Sequence, residues 1–187
     1  MRSRAGLTVV ELLLGLALGA VTLAAMVALS SASVAALQRA TAGAETTTAV
    51  AGALDQMTRD IRLAGYDPRS RGIAAILDAG AALLETAADL DGDGAIDLDS
   101  EEHVTYRPSP SGDTLQRIVG RQSLPILSDL APDGLRLRYF DTTGAEIDPV
   151  AAGATTTIRF VAIELRTRAR AAHPAVALAG GARLLNR

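Results

Sequence analysis

Between residues 7 and 29 the chain reads LTVVELLLGLALGAVTLAAMVAL, an apolar run in which only Thr8, Glu11 and Thr22 are polar. At ~1.5 Å per residue these positions would span roughly 34 Å as a helix, enough to cross a hydrocarbon core of about 30 Å. Arg2 and Arg4 precede the run, and positive charge on that side predicts a cytoplasmic N-terminus with the remainder sent outward. The first proline is Pro68, so no breaker ends the helix where the apolar run ends. Farther on, Val50, Leu54, Met57, Ile61 and Ala64 recur at four- and three-residue steps, which predicts a stripe on one helical face. Asp55 and Arg59, four apart, are expected to pair on the solvent side, and Gly43 and Gly52 to weaken the helix by about 1 kcal/mol each. Residues 7–64 thus predict one helix of roughly 87 Å. Residues 7–29 would form its membrane half and residues 30–65 an outer amphipathic half ready to pack on a domain.

Past Gly65 the period changes from helical to alternating. Candidate strands fall at 73–77, 103–107, 114–119, 135–140 and 157–167. In the last, Val161, Ile163 and Leu165 alternate with Glu164, Arg166 and Arg168, predicting one buried and one wet face. Asp141-Thr-Thr-Gly144 reads as a tight turn leading to a short run at 145–147, a hairpin. The whole is an α+β layout: a long N-terminal helix packed on an antiparallel β-rich head at 66–187.

Composition narrows the chemistry. Of 187 residues, 49% are hydrophobic, 21% charged and 3% aromatic, and the formal charge is −3. That balance argues against nucleic acid as principal partner. There is no cysteine, which removes disulfides, thiolate nucleophiles and zinc–sulfur sites. Two distant histidines, His103 and His173, offer no histidine-rich metal centre. His103 reads as a half-exposed strand residue. Ser109 and Ser111 lie in a turn without the elbow of a serine hydrolase. The chain carries no catalytic constellation, so no enzymatic activity is expected. Arg166, Arg168 and Arg170 form a basic row, read first as a solvated face and alternatively as a contact for an acidic neighbour.

One residue in the apolar run demands a reason. A carboxylate inside a membrane helix costs on the order of 2.5–3.5 kcal/mol and is generally paired or functional. A secretory signal peptide, with Ser31-Ala32-Ser33 as a cleavage region, or a plain single-pass anchor would account for the hydrophobicity but leave Glu11 unexplained. Gly6-Leu7-Thr8-Val9-Val10-Glu11-Leu12-Leu13 resembles the prepilin signature of type IV pilins and type II secretion pseudopilins. The resemblance implies cleavage by a prepilin peptidase after Gly6, N-methylation of Leu7, and a register-setting role for Glu11 opposite a neighbouring subunit's new amine. Phenylalanine is commoner than leucine at the position of Leu7. Gly15 and Gly19 have the small-xxx-small spacing that permits close helix contact in lipid.

Arg59-Asp60-Ile61-Arg62-Leu63-Ala64-Gly65-Tyr66 is similar to the end of the long helix in PilW-type minor pilins. Residues 139–144, 161–166 and 183–187 resemble that family and its secretion counterpart, the GspJ-type minor pseudopilins. The resemblance implies a type IV pilin-like fold with a leader at 1–6, and a subunit that helps initiate pilus assembly within a tip complex. Its implied partners are other minor pilins, the major pilin, the prepilin peptidase, the inner-membrane assembly platform and, before assembly, membrane lipid. The implied location is the bacterial inner membrane and then the pilus. A minor pseudopilin is the close alternative, and a secreted or anchored calcium-binding module is the alternative of another class.

Finally, residues 85–102 hold eight carboxylates and no base. The run Asp89-Leu-Asp91-Gly-Asp93-Gly-Ala95-Ile-Asp97 matches the first nine positions of a calcium-binding loop, with alternate Asp oxygens and the Ala95 carbonyl converging on one Ca2+ ion. Position twelve is Ser100 instead of the usual bidentate glutamate, so Asp99, Glu101 or Glu102 must close the site. Because 103–107 reads as a strand, a helix–loop–helix hand is not expected. A solvated acidic loop without an ion is the competing reading.

Overall fold

The computed structural model describes residues 8–149, 154–170 and 173–186. A single α-helix, α1 (Val9–Leu63), precedes the strands, and the chain divides into two compact units, Met1–Ala42 and Gly43–Arg187. The helix runs through Gly43 and Gly52 without interruption, so the local weakening expected there breaks nothing. Propensity costs of that size are small against a long helical ladder.

In the first unit, the described residues are helical from Val9 onward, and their large apolar side chains are exposed. An 18-residue window reaches a mean hydropathy of 2.5 with none of it buried, so this helix could span a membrane by length and composition. Several of its hydroxyls donate to carbonyls one turn back. Thr22 donates to the Gly19 carbonyl at 2.9 Å, and Ser31 and Ser33 donate to the carbonyls of Ala28 and Leu29 at 2.9 Å each. Such back-bonding is the way a hydroxyl within a helix satisfies its proton without water.

In the second unit, Val50, Ala53, Met57 and Ile61 of α1 are buried, with Ala64 just beyond its end. Leu54, expected in that stripe, is only partly buried and lies on its flank; a Cβ on Gly180 would come within 2.9 Å of its Cδ2. Below the helix are two antiparallel sheets. The first is a five-stranded meander, β1 (Ile76–Ala79), β2 (Leu84–Ala87), β3 (His103–Pro108), β4 (Thr114–Val119) and β5 (Gln122–Ser128). The second contains β6 (Leu130–Phe140), β7 (Glu146–Ile147), β8 (Phe160–Thr167) and β9 (Ala177–Arg183), in the order β7-β6-β8-β9. Their inward residues, among them Leu84, Tyr106 and Leu115 from one sheet and Leu135, Ile163 and Leu165 from the other, make one core with the helical stripe.

The expected strands are present, with shifted edges at four of them, the second by a single residue at Pro108. The first lies at 76–79 instead of 73–77, the fourth begins five residues earlier at Leu130, and the last begins at Phe160 instead of residue 157. β2, β5 and β9 fall outside the strands that alternation predicts, and each has a local reason. β2 has four residues, too few to display a period. β5 contains Pro125, tolerated because the strand is at an edge and the register shifts at Ile126, Leu115 pairing with Leu127 and Gln116 with Pro125. β9 reads ALAGGAR, with low intrinsic strand preference. It forms because β8 supplies a complete ladder from Phe160–Arg183 to Arg166–Ala177. The hairpin after β6 is as expected: Asp141 Oδ1 accepts the N–H groups of Thr143 and Ala145 at 2.7 and 3.0 Å, and Gly144 takes φ +84°.

The C-terminal end of α1 is closed by distant chain. Asn186 Nδ2 donates to the carbonyls of Arg62 and Leu63 at 3.1 and 3.2 Å, satisfying acceptors that a helix end leaves open. Gly65 follows at φ +75°, where a Cβ would lie 2.8 Å from the Asn186 carbonyl oxygen. Only glycine fits that left-handed, crowded position.

Candidate functional site

Two regions carry the residues singled out by sequence. At the start of α1, Thr8 and Glu11 form a reciprocal capping box. The Glu11 carboxylate accepts the Thr8 N–H at 3.1 Å and the Thr8 hydroxyl at 3.0 Å, while the Thr8 hydroxyl oxygen accepts the Glu11 N–H at 3.3 Å. Thr-x-x-Glu is the sequence form of this cap, so Glu11 has a local role besides the one its charge suggests. Both side chains are exposed. Gly15 and Gly19 have no neighbouring group within 4 Å of where a Cβ would stand, so no contact within one chain requires glycine there. Gly6, Leu7 and the leader at 1–6 lie outside the described residues.

The second region is the connection between β2 and β3. Asp89 is fully buried, and its two carboxylate oxygens accept the N–H groups of Gly92 at 2.7 Å and Gly94 at 3.0 Å. Positive φ at both glycines, +75° and +88°, turns those N–H groups inward. Glu102 closes the loop from the other end. Its Oε1 accepts from Leu90 and Asp91 at 2.7 and 3.1 Å, and its Oε2 from Asp97 at 2.9 Å. These two carboxylates thus accept five backbone N–H groups between residues 90 and 97.

Asp89, Asp91 and Glu102 each bring a carboxylate oxygen within 4.8 Å of the others, an arrangement able to hold a hard cation through oxygen ligands. The other candidate ligands are engaged differently. Asp93 accepts the Ala95 N–H at 2.7 Å and Asp97 accepts the Asp99 N–H at 2.9 Å. Glu101 pairs with Arg117, and Asp99 lies 4.0 Å from the exposed Arg121. Of the three residues considered for closing the loop, Glu102 is the one brought beside Asp89.

Next to this loop is a network that no sequence motif announces. Asp60 of α1 accepts from Tyr106 Oη at 2.5 Å and from Arg117 Nε at 2.8 Å through one oxygen, and from Gln56 Nε2 at 3.2 Å through the other. The other end of the Arg117 guanidinium pairs with both Glu101 oxygens. Arg117 and Asp60 side chains are 9% and 10% exposed, so neither charge can rely on water. Burial, reinforced by the Asp60 charge, drives the Tyr106 hydroxyl above its ordinary pKa, keeping it a neutral donor. Burial alone would favour losing the Arg117 proton, but the bonds to Glu101 and Asp60 outweigh it and hold the guanidinium charged. These partners come from α1, β3, β4 and the acidic loop, and no periodicity links them.

Glu101 is held below its ordinary 4.5, foremost by the Arg117 hydrogen bond. Glu102 is held below 4.5 by the N–H of Asp97 first, then those of Asp91 and Leu90. A carboxyl lowered on folding contributes stability that is complete above its unfolded pKa and lost as pH falls through its folded one. Thermal midpoints are therefore expected to stay level down to about pH 5 and to drop below about pH 4. Glu102→Gln should shrink that acid-side drop, as thermal scans across this range would show; an unchanged drop would exclude Glu102 as a contributor.

The remaining candidates have structural partners. His103 is partly exposed and pairs with Glu85 across β2 and β3. Ser109, Ser111 and Asp113 bond one another within the β3–β4 turn. Arg168 Nε donates to the Leu130 carbonyl at 3.1 Å and Arg170 pairs with Asp129 at 2.8 Å, whereas Arg166 is exposed on the outer face of β8. The pair expected on the solvent side of α1, Asp55 and Arg59, is formed. No protein-family model matches the chain, and no curated protein matches it.

Proposed function

We propose that this chain is a PilW-type minor pilin, processed by a prepilin peptidase and helping to initiate a type IV pilus as part of a tip complex. The observation that carries the reading is Glu11, a lone carboxylate in the apolar, outward-facing first part of α1. On this reading the peptidase cuts between Gly6 and Leu7, the new Leu7 amine is N-methylated, and a neighbouring subunit's Glu11 meets that ammonium in the bilayer. Two charges that are costly apart become one pair, and the pairing sets the axial stagger between subunits. The head, a helix end on two antiparallel sheets, supplies lateral contacts to other minor pilins and the major pilin, with the assembly platform as the place of entry. The same physics would serve a minor pseudopilin of type II secretion; loss of twitching, as opposed to loss of enzyme export, on deletion distinguishes the pilus role.

Mass analysis of the mature protein tests the reading. A chain beginning at N-methylated Leu7 is expected, whereas an intact leader or a start at Val34 would overturn it.

The acidic loop is assigned a structural calcium ion on this proposal, with Asp89, Asp91 and Glu102 as its carboxylate ligands. Calcium at a hundredfold excess over its dissociation constant would add about 2.7 kcal/mol of stability. A calcium-dependent rise in thermal midpoint is expected for the parent and not for Asp91→Ala. Equal behaviour of the two would remove the ion from the account.

A further inference from the structure

The outer face of the second sheet and the rim of the acidic loop carry opposite charge. Residues pointing inward from β6 and β8, such as Leu137, Ile163 and Leu165, are buried, so their alternating neighbours form the opposite face. There the register places Arg138 beside Ala162 and Arg136 beside Glu164, with Gly181 and Ala179 next on β9. A cavity of about 450 Å³ opens over these positions, lined by Arg136, Arg138, Ala162, Glu164 and Ala179 among others. Arg166 follows Glu164 on the same face of β8, and Arg183 stands beside Phe160. The floor holds small residues together with Glu164, and arginines stand at the rim. Arg138 is engaged by Glu146 and lies over the Phe140 ring at 5.3 Å; Glu164 is the acid within the depression.

The chain carries a knob of the opposite kind. Leu98, between Asp97 and Asp99, is 60% exposed, an apolar side chain flanked by two exposed carboxylates. Asp99 has only the loose, solvent-exposed pair with Arg121, which costs little to exchange. An apolar anchor ringed by charges matches a small-residue floor ringed by opposite charges, the pattern that fixes partner choice and register.

We propose that this face is a docking surface for the acidic loop of a second copy of the chain, with Leu98 over Ala162 and Ala179 and with Asp97 and Asp99 meeting Arg136 and Arg166. The contact joins two different patches, so it is heterologous and links copies head to tail. Asp97 and Asp99 are not among the three clustered carboxylates, so the contact does not depend on the calcium assignment. Nor does it depend on prepilin processing.

The absence of cysteine makes single-cysteine crosslinking of the full chain in detergent specific, with a chelator present. Differently tagged Ala95→Cys and Ala177→Cys chains are expected to form a mixed disulfide dimer in preference to either homotypic dimer. Arg136→Glu with Arg166→Glu in the Ala177→Cys chain should cut that product roughly tenfold. Asp97→Arg with Asp99→Arg in its partner should restore it. No preference for the mixed dimer, insensitivity to the reversals, or failure of the exchanged charges to restore the product would each overturn the proposal.

Discussion

Arg117→Met is expected to lower the unfolding free energy by about 3–5 kcal/mol, the range for breaking a buried ion pair from one side. The substitution keeps most of the aliphatic volume but leaves Asp60 with a buried charge and only the Tyr106 hydroxyl and Gln56 amide to meet it. It also frees Glu101, whose hydrogen bonds to Arg117 tie the acidic loop to β4. Denaturant unfolding followed by circular dichroism would measure the loss. A change below about 1 kcal/mol, typical of a surface pair, would mean that water reaches Asp60 in solution. The double variant Asp60→Leu with Arg117→Met should recover much of the loss, because replacing both partners removes the uncompensated charge instead of stranding it.

Glu11→Gln is expected to insert into the membrane yet fail to enter filaments, as the proposed function requires. Glutamine can keep the capping box with Thr8, since its amide oxygen accepts the same Thr8 N–H, but it cannot neutralise an ammonium. Thr8→Ala provides the opposite comparison: it removes the cap at a cost of about 1 kcal/mol and keeps the carboxylate, so it should still assemble. Quantifying each variant in sheared filaments separates charge from capping. Parental levels of Glu11→Gln in filaments would defeat the pairing account, and loss of Thr8→Ala alone would make the cap the essential feature.

The long helix is legible in the sequence because its signals are local and repeated. An apolar run, the absence of proline before Pro68 and the stripe of Val50, Met57 and Ile61 all act within a few turns. The alternating part of β8 is equally clear, because one face is buried and the other wet along its length. β9 is not, since Ala and Gly carry almost no strand preference and its formation depends on the ladder offered by β8. In the acidic loop, spacing points to Asp89, Asp91, Asp93, Ala95 and Asp97 and leaves three candidates for closure, whereas the clustered carboxylates are those of Asp89, Asp91 and Glu102. Glu102 stands with them because the loop folds back onto the start of β3, bringing its carboxylate to the N–H groups of Leu90, Asp91 and Asp97.

By itself, the sequence determined the elements whose energetics are written along the chain: a membrane-length apolar helix, its later packing stripe, and strands whose side chains alternate. Tertiary structure alone decided which distant charges meet. Asp60 and Arg117 are separated by 57 positions, and only the packing of α1 on the first sheet brings them together largely out of solvent. At such low exposure an unmatched charge is costly.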